Sequence, residues 1–248
     1  MRIIAIIPSR MASTRLPNKP LVDICGKPMI QKVWENVSTC RLVDRIFVAT
    51  DDVRIYEACA GFGADCILTS AELPSGTDRI MKAYEISGEN ADVVVNVQGD
   101  EPLLSGAIID ELLENFIRTD FDVGTLITEI KSPEDLLNDS VVKVELNENM
   151  TAKCFSRKPV PEIENVPVEN WLSLKKYYKH IGIYAYKIDA LRKFVSLPVS
   201  AWEREEKLEQ LRLLETGAKY FCVETNAFLI GVDTQDDLEK VRNYLQNQ

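Results

Sequence analysis

The chain has 248 residues, 46% of them hydrophobic and 27% charged, with a formal net charge of −10. The acidic excess argues against general affinity for nucleic-acid backbones, and no apolar run nears the roughly 18 residues of a membrane span. The opening residues lack the small-residue cleavage site of a secretory signal, so a cytoplasmic chain is expected.

In chain order, Ile3 to Ile7 reads as a buried strand, followed by a helix with Met29, Ile30, Val33, Trp34 and Val37 on one face. Arg45 to Thr50 reads as a second strand, and Ile55, Ala58, Cys59 and Phe62 then recur at helical spacing up to Gly61 and Gly63. A short strand around Cys66 to Leu68 leads into SGTDR, where Ser75 or Thr77 can cap a helix carrying Ile80, Met81 and Tyr84. Val93 to Val97 is a continuous apolar run, as a strand covered on both faces requires, and a helix with Ile108, Ile109, Leu112, Leu113 and Phe116 follows. This alternation predicts an α/β fold with a doubly wound, mostly parallel sheet.

From about Val123 the pattern changes. VGTLIT and VVKVEL read as strands, SPEDLL between them has Ser132 as a cap and Pro133 at the first helical position, and Asn147 to Asn149 mark a turn. Residues 158–176, polar and rich in Pro without a period, predict a mobile loop. HIGIYAY (His180 to Tyr186) reads as a strand, and EREEKLEQLRLLETG as one helix closed by Gly217. Phe228 to Val232 reads as a strand before a final helix that starts like a capping box at Thr234 and Asp237. With no internal repeat, residues 1–248 read as a single domain.

Ligands of such a sheet sit beyond the carboxyl ends of its strands, and the loop after Ile7 holds Arg10, Arg15 and Lys19. Three cations there suit phosphate oxygens, although a solvated turn would carry the same charges. Neither Gly-x-Gly-x-x-Gly nor Gly-Lys-Ser/Thr follows the strand, which disfavours a nicotinamide dehydrogenase and a P-loop enzyme. QGDEP puts Asp100 and Glu101 at the same edge, and GVDT adds Asp233 from far along the chain. Together the two Asp side chains suit magnesium beside phosphates; separately each is an ordinary turn or helix-start residue. His180, Arg157, Glu209 and Gln210, taken by themselves, read as structural or surface residues. The six cysteines show no Cys-x-x-Cys pair and there is one His, so zinc spacing is absent and reduced thiols are expected.

PSRMASTRLPNKPL, SGTDR, VNVQGDEP, CFSRKPVP, KHIGIYAY, LEQLRLLE and GVDTQDDLEKV, in that order over nearly the whole chain, resemble the 3-deoxy-manno-octulosonate cytidylyltransferases, or CMP-Kdo synthetases. The first motif is shared with sugar-nucleotide transferases in general, whereas the ordered set is much more specific. The resemblance implies a Rossmann-like sheet of the nucleotide-diphospho-sugar transferase type, with roughly 123–200 as a small mixed sugar-binding and dimerisation subregion. It implies that CTP and Kdo give CMP-Kdo and pyrophosphate for lipopolysaccharide assembly, with Mg2+ as cofactor. A homodimer is also implied, with HIGIYAY and neighbouring segments as the candidate interface.

Carried over by position, Arg10, Arg15 and Lys19 would contact the triphosphate, and Pro8, Ser9, Ser75, Gly76, Asp78 and Arg79 would lie around the cytidine. Asp100 and Asp233 would hold the metal and, with Arg10 and Lys19, form the catalytic set. Gln98, Arg157, His180, Tyr184, Glu209 and Gln210 would meet the sugar acid. Ser9 and Asn18 stand where the family has Ala and Gly, and Trp202 and Glu205 replace apolar residues before LEQLR. A related acceptor, amino-substituted Kdo or a nonulosonate, is the alternative, and a module that binds CTP without reacting is a reading from another class.

Overall fold

Strand β1 (Ile3–Ser9) buries side chains on both of its faces, so each face needs a layer of helices. The structure, a computed structural model, describes residues 1–12 and 15–247; Ser13 and Thr14 of the cationic loop, and Gln248, lie outside the described residues. After a short hairpin of β2 (Asp23–Ile24) and β3 (Lys27–Pro28), the chain alternates regularly. It forms α1 (Met29–Val37), β4 (Arg45–Thr50), α2 (Val53–Phe62), β5 (Cys66–Leu68), α3 (Gly76–Ser87), β6 (Val93–Val97) and α4 (Gly106–Phe116). An excursion follows with β7 (Val123–Glu129), α5 (Pro133–Leu137), β8 (Lys143–Leu146), β9 (Ala152–Ser156) and α6 (Trp171–Leu174). The chain closes with β10 (Tyr178–Lys187), α7 (Ile188–Ser196), α8 (Ala201–Glu206), α9 (Gln210–Leu214), β11 (Tyr220–Glu224) and α10 (Gln235–Gln246).

The main sheet runs β11-β7-β10-β6-β1-β4-β5, parallel along this path except for β10, which runs against β6 and β7, and β8 and β9 join it beside β10 as antiparallel strands. Ile3, Ala5 and Ile7 share an apolar cluster with α1, α2 and α4. Ile4 and Ile6 face the other way, toward α3 and α7. The sheet is therefore doubly wound and mostly parallel, as its sequence predicts. From β1 the chain winds outward to β4 and β5, then returns through α3 to β6 on the opposite side of β1. That reversal leaves a crevice beyond the carboxyl ends of β1 and β6, where a ligand can enter. The two strand exits run so close that a Cβ on Gly99 would lie 2.9 Å from the Pro8 carbonyl oxygen, which restricts this position to glycine.

Several segments depart from the sequence reading. Residues 203–217 form two helices, broken where Lys207 takes a left-handed backbone (φ 55°). The Arg157 guanidinium donates to the carbonyls of Glu206 (2.9 Å) and Lys207 (3.5 Å), acceptors that a continuing helix would need for itself. Phe228 to Val232 is not a strand. Val232 instead donates its N–H to the Asp100 carbonyl (2.9 Å) and buries its side chain with Leu238 and Val241 of α10. Residues 158–176 contain a 3-10 turn (Val168–Asn170) and α6, and Trp171 stacks on Tyr177 within a small core that includes Ile130 and Leu136. β9, α7 and β11 have no counterpart in the sequence reading. HIGIYAY lies inside β10, where Ile183 to Tyr186 pair with β6, and His180, Ile181 and Tyr184 to Tyr186 pair with β7.

Two of the departures from the family pattern are harmless to the fold. Asn18 adopts φ 54° and ψ 29°, the left-handed region that Asn tolerates. Trp202 and Glu205 face solvent, so neither exchange disturbs the core packing.

Candidate active site

A cavity of about 730 Å³ occupies the crevice. Its base is Pro8 and Ser9 at the end of β1 and Gln98 to Asp100 after β6. Arg10, Arg15 and Lys19 contribute one side, Ser75, Gly76 and Arg79 of the α3 start another, and Glu203, Arg204, Lys207 and Glu209 a third. The loop after β1 is shaped by the left-handed Asn18 and the 3-10 turn Lys19–Leu21.

Lys19 holds the two aspartates together. Its Nζ donates to Asp100 Oδ2 (2.5 Å) and Asp233 Oδ1 (2.8 Å), and Arg15 reaches the same Asp233 oxygen at 3.1 Å. Burial disfavours the Lys19 ammonium, but the two carboxylates outweigh it and raise its pKa. Burial likewise opposes ionisation of Asp233, yet Lys19 and Arg15 hold that carboxyl below its usual range. Asp233 arrives from the far end of the chain because Val232 is pinned to the Asp100 carbonyl and the Thr234–Asp237 capping box starts α10 directly behind it.

The donor set suits magnesium. One cation already touches both carboxylates, so their oxygens lie within reach of a common point. Among the described residues no group of three His, Cys, Asp or Glu side chains forms a metal cluster. Two carboxylates plus substrate phosphates and water are what Mg2+ ordinarily takes, rather than an all-protein cage.

At the α3 start, Ser75 caps the helix by accepting from the Asp78 N–H (3.2 Å) and donates its own hydroxyl to the Asp78 carboxylate (2.6 Å). Asp78 is thereby turned to its own helix and lies off the cavity wall, unlike Ser75, Gly76 and Arg79. Arg79 is buried and fixed by Thr69 (2.6 Å) and Asp51 (3.2 Å). The Ser9 hydroxyl is buried and has no hydrogen-bond partner among the described residues.

Of the six residues expected at the sugar, Gln98 and Glu209 line the cavity. Gln98 is oriented by a hydrogen bond from its amide to Asn96 (3.0 Å), and burial raises the Glu209 pKa against the opposing pull of Ser75 and Thr77. Tyr184 and Gln210 are buried behind the wall, and Arg157 is engaged by backbone carbonyls away from it. His180 packs edge-on against Phe155 and beside Tyr184. The Thr125 hydroxyl lies 2.9 Å from His180 Nε2 and 2.7 Å from the Ile183 carbonyl oxygen.

Burial pushes the His180 pKa down to about 3. The unfolded chain binds the proton from about pH 6.5 downward, so this imidazole's contribution to stability is complete above that pH and is lost progressively toward pH 3. Because the chain has one His, its imidazole NMR signals report on this site alone. They are expected to stay in the neutral form down to pH 5; titration near 6.5 would contradict the buried environment.

The sequence reading did not single out Glu101, Glu203, Arg204 or Lys207 as site residues. Glu101 follows Asp100 in QGDEP but points inward, where burial pushes its carboxyl up to about 8 and the charges of Asp100 and Asp233 add to that rise. Glu203 is paired with Arg212 at 2.6 Å on the buried side of α8. Their neighbourhood in SAWEREEKLEQLR was the available signal, but read as one continuous helix it could not show which side faced a ligand.

A doubly wound sheet whose switch-point cavity combines a cationic loop with two convergent aspartates defines a nucleotidyltransferase. A cytidylyltransferase family model matches residues 4–221. A 3-deoxy-manno-octulosonate cytidylyltransferase of Parabacteroides distasonis is 44% identical over the full length of both chains. Its counterpart in Geobacter sulfurreducens is also 44% identical, over 99% of this chain and 100% of that protein. The solved structure of a CMP:2-keto-3-deoxy-manno-octonic acid synthetase complexed with CTP superimposes with a TM-score of 0.91 at 39% identity, covering 100% of this chain and 99% of that one. The chain belongs to the cytidylyltransferases and, within them, to the 3-deoxy-manno-octulosonate cytidylyltransferase family.

Proposed function

We propose that this chain joins CTP and Kdo to give CMP-Kdo and pyrophosphate. The observation that carries the reading is the meeting of Asp100 and Asp233 at Lys19, on a cavity that Arg10 and Arg15 also line. Full-length relatives bearing the name of that activity support it over a related sugar acid.

The anomeric hydroxyl of the acceptor attacks the α-phosphorus in line, losing its proton to solvent water, as the bond to the bridging pyrophosphate oxygen breaks. Arg10, Arg15 and Lys19 bind the triphosphate and neutralise charge that shifts onto the leaving group. Asp100 and Asp233 would hold Mg2+, which would supply Lewis-acid polarisation of the phosphates. With nucleotide present, the Lys19 ammonium turns from the two carboxylates to phosphate oxygens. Gln98 and Glu209 orient the acceptor, supplying proximity rather than proton transfer. On the resemblance of the motifs alone we also propose a homodimer in the cytoplasm that feeds lipopolysaccharide assembly, with roughly 123–200 as its sugar-binding and dimerisation subregion. No helix among the described residues is long and apolar enough to cross a membrane.

A coupled pyrophosphate assay tests the reading. CTP with Kdo is expected to release pyrophosphate at least ~100-fold faster than ATP or GTP with Kdo, and chelation is expected to stop turnover until Mg2+ is restored. Equal rates with other nucleotides, or release only with a different sugar acid, would remove the assignment. Turnover that resists chelation would remove the metal from it.

A further inference from the structure

Two of the six cysteines meet far from the chemistry. Cys59 lies on the buried side of α2 and Cys66 opens β5, and both join the apolar cluster on the α1, α2 and α4 face of the sheet. The chain reverses between them: Gly63 ends α2 with a left-handed backbone (φ 83°), and the Ala64 N–H then donates to the Cys59 carbonyl (3.0 Å). Both thiols are free and face each other as hydrogen-bond partners. The Cys59 thiol holds the Cys66 pKa below its ordinary value against the effect of burial, and the Cys59 pKa rises in return. The other cysteines stand apart. The Cys40 thiol donates to the Asp110 carboxylate (3.0 Å), and burial together with that carboxylate pushes its pKa up to about 12. Burial pushes Cys222 up to about 12 and raises Cys154 beside Glu145. Cys25 is exposed on the turn between β2 and β3.

Access and mobility differ across the pair. Cys59 is wholly buried, in a helix whose Ile55 is equally buried, whereas Cys66 is half-buried on a three-residue strand at the end of the sheet. Thr69, directly after that strand, donates its N–H to the Thr50 carbonyl (2.8 Å), and its hydroxyl accepts from Arg79 Nη1 (2.6 Å). Arg79 lines the cavity, so a displacement of β5 reaches the cavity wall through the Thr69 hydroxyl.

We infer that Cys59 and Cys66 form a reversible disulfide, and that its closure shifts β5 and with it Arg79, lowering affinity for nucleotide. The oxidant is a low-molecular-weight disulfide. The Cys66 thiolate attacks one of its sulfurs, the small disulfide's S–S bond breaks, and one thiolate leaves, so that Cys66 carries a mixed disulfide. Cys59 then gives its proton to water, its sulfur attacks Cys66 Sγ, and the second small thiolate departs. Two protein thiols are thereby oxidised to one disulfide while the small disulfide is reduced to two thiols. The new bond draws together sulfurs that were only hydrogen-bonded, and the short edge strand yields before the buried helix does. The effect on nucleotide rests on the reading of the cavity as a CTP site, whereas the disulfide does not.

Peptide mapping tests the disulfide directly, because no Lys or Arg separates Arg54 from Arg79 and one tryptic peptide, 55–79, carries both cysteines. The reduced chain is incubated with oxidised glutathione and its remaining thiols are alkylated in denaturant. The wild-type peptide is expected to be two hydrogens lighter than its reduced form and free of alkylation, and dithiothreitol is expected to reverse this. Cys59→Ala is expected to trap glutathione on Cys66, and Cys66→Ser to leave Cys59 unmodified. By calorimetry, CTP affinity is expected to fall about 5- to 10-fold on oxidation of the wild type. It is expected to stay unchanged in the double variant Cys59→Ala/Cys66→Ser, whose exposed Cys25 still takes glutathione. Two alkylated cysteines in peptide 55–79 while Cys25 is fully modified would overturn the pair. A disulfide that leaves CTP affinity unchanged would overturn its coupling to Arg79, as would an equal loss of affinity in the double variant. Reduced wild type that fails to bind CTP would overturn the nucleotide reading and that coupling with it, while the mapping still decides the disulfide.

Discussion

Asp100→Asn is expected to lower kcat with CTP and Kdo by ~1,000-fold or more, because it removes charge at the point where the triphosphate's counterion is held. Asn preserves the shape and one hydrogen bond to Lys19, so the loss isolates the carboxylate charge. The fold should be indifferent: the Asp100 side chain is 34% exposed, and Lys19 keeps Asp233 as a partner. Tm should accordingly move by no more than about 3 °C. Asp233→Asn should behave similarly but also release Arg15, which shares its Oδ1. A magnesium titration separates causes, since loss of a metal ligand raises the Mg2+ concentration needed for half-maximal turnover. Near-wild-type kcat in Asp100→Asn at ordinary Mg2+ would show that the two aspartates only tether Lys19.

The convergence behind that prediction was readable in part from sequence, and the limits are instructive. QGDEP follows the apolar run Val93 to Val97, so its place at the sheet edge follows from strand burial alone. GVDT reaches the same edge by another route. Its preceding residues look like a strand because they are apolar, yet Ile230 and Val232 pack with Leu238 and Val241 while Phe228 lies exposed. The position of Asp233 was thus inferred correctly from an element that does not exist. Patterns of burial indicate that a residue has apolar neighbours without saying whether those neighbours are strands or a helix.

The break at Lys207 shows the opposite case. EREEKLEQLRLLE has strong helical propensity throughout, and nothing within it announces a stop. The stop comes from Arg157, fifty positions upstream, whose guanidinium takes the carbonyls at the end of α8. A long-range contact of this kind leaves no local periodicity to read. Trp171 likewise orders a Pro-rich segment through stacking on Tyr177, which only tertiary structure supplies. The β1, β4, β5 and β6 strands were readable because each is fully or largely apolar and bounded by polar turns.

Arg212→Met is expected to destabilise the chain by about 3–5 kcal/mol, since it leaves Glu203 buried without its partner. The pair is bidentate, with Arg212 Nε and Nη2 at 2.8 and 2.6 Å from the two Glu203 oxygens, and the side chains are 4% and 11% exposed. Arg212 also lies over the Phe194 ring, 4.4 Å from its centroid, tying α9 to α7. Urea denaturation should therefore show a lower midpoint with an unchanged m-value. Adding Glu203→Gln should recover part of the loss, because the double variant no longer buries an unpaired charge, and the coupling measured by the four-variant cycle should exceed about 1 kcal/mol. Coupling near zero would mean that solvent reaches the pair and that α8 is held chiefly by the Glu206–Arg157 clamp. The distinction bears on function, because α8 and the turn after it carry Arg204, Lys207 and Glu209 to the cavity from one side while Glu203 anchors the same helix to the core. This short helix takes its orientation from the Glu203–Arg212 pair together with the bonds of Glu206 to Ser156 and Arg157. Loosening that pair should raise KM for the sugar acid at temperatures well below the unfolding transition.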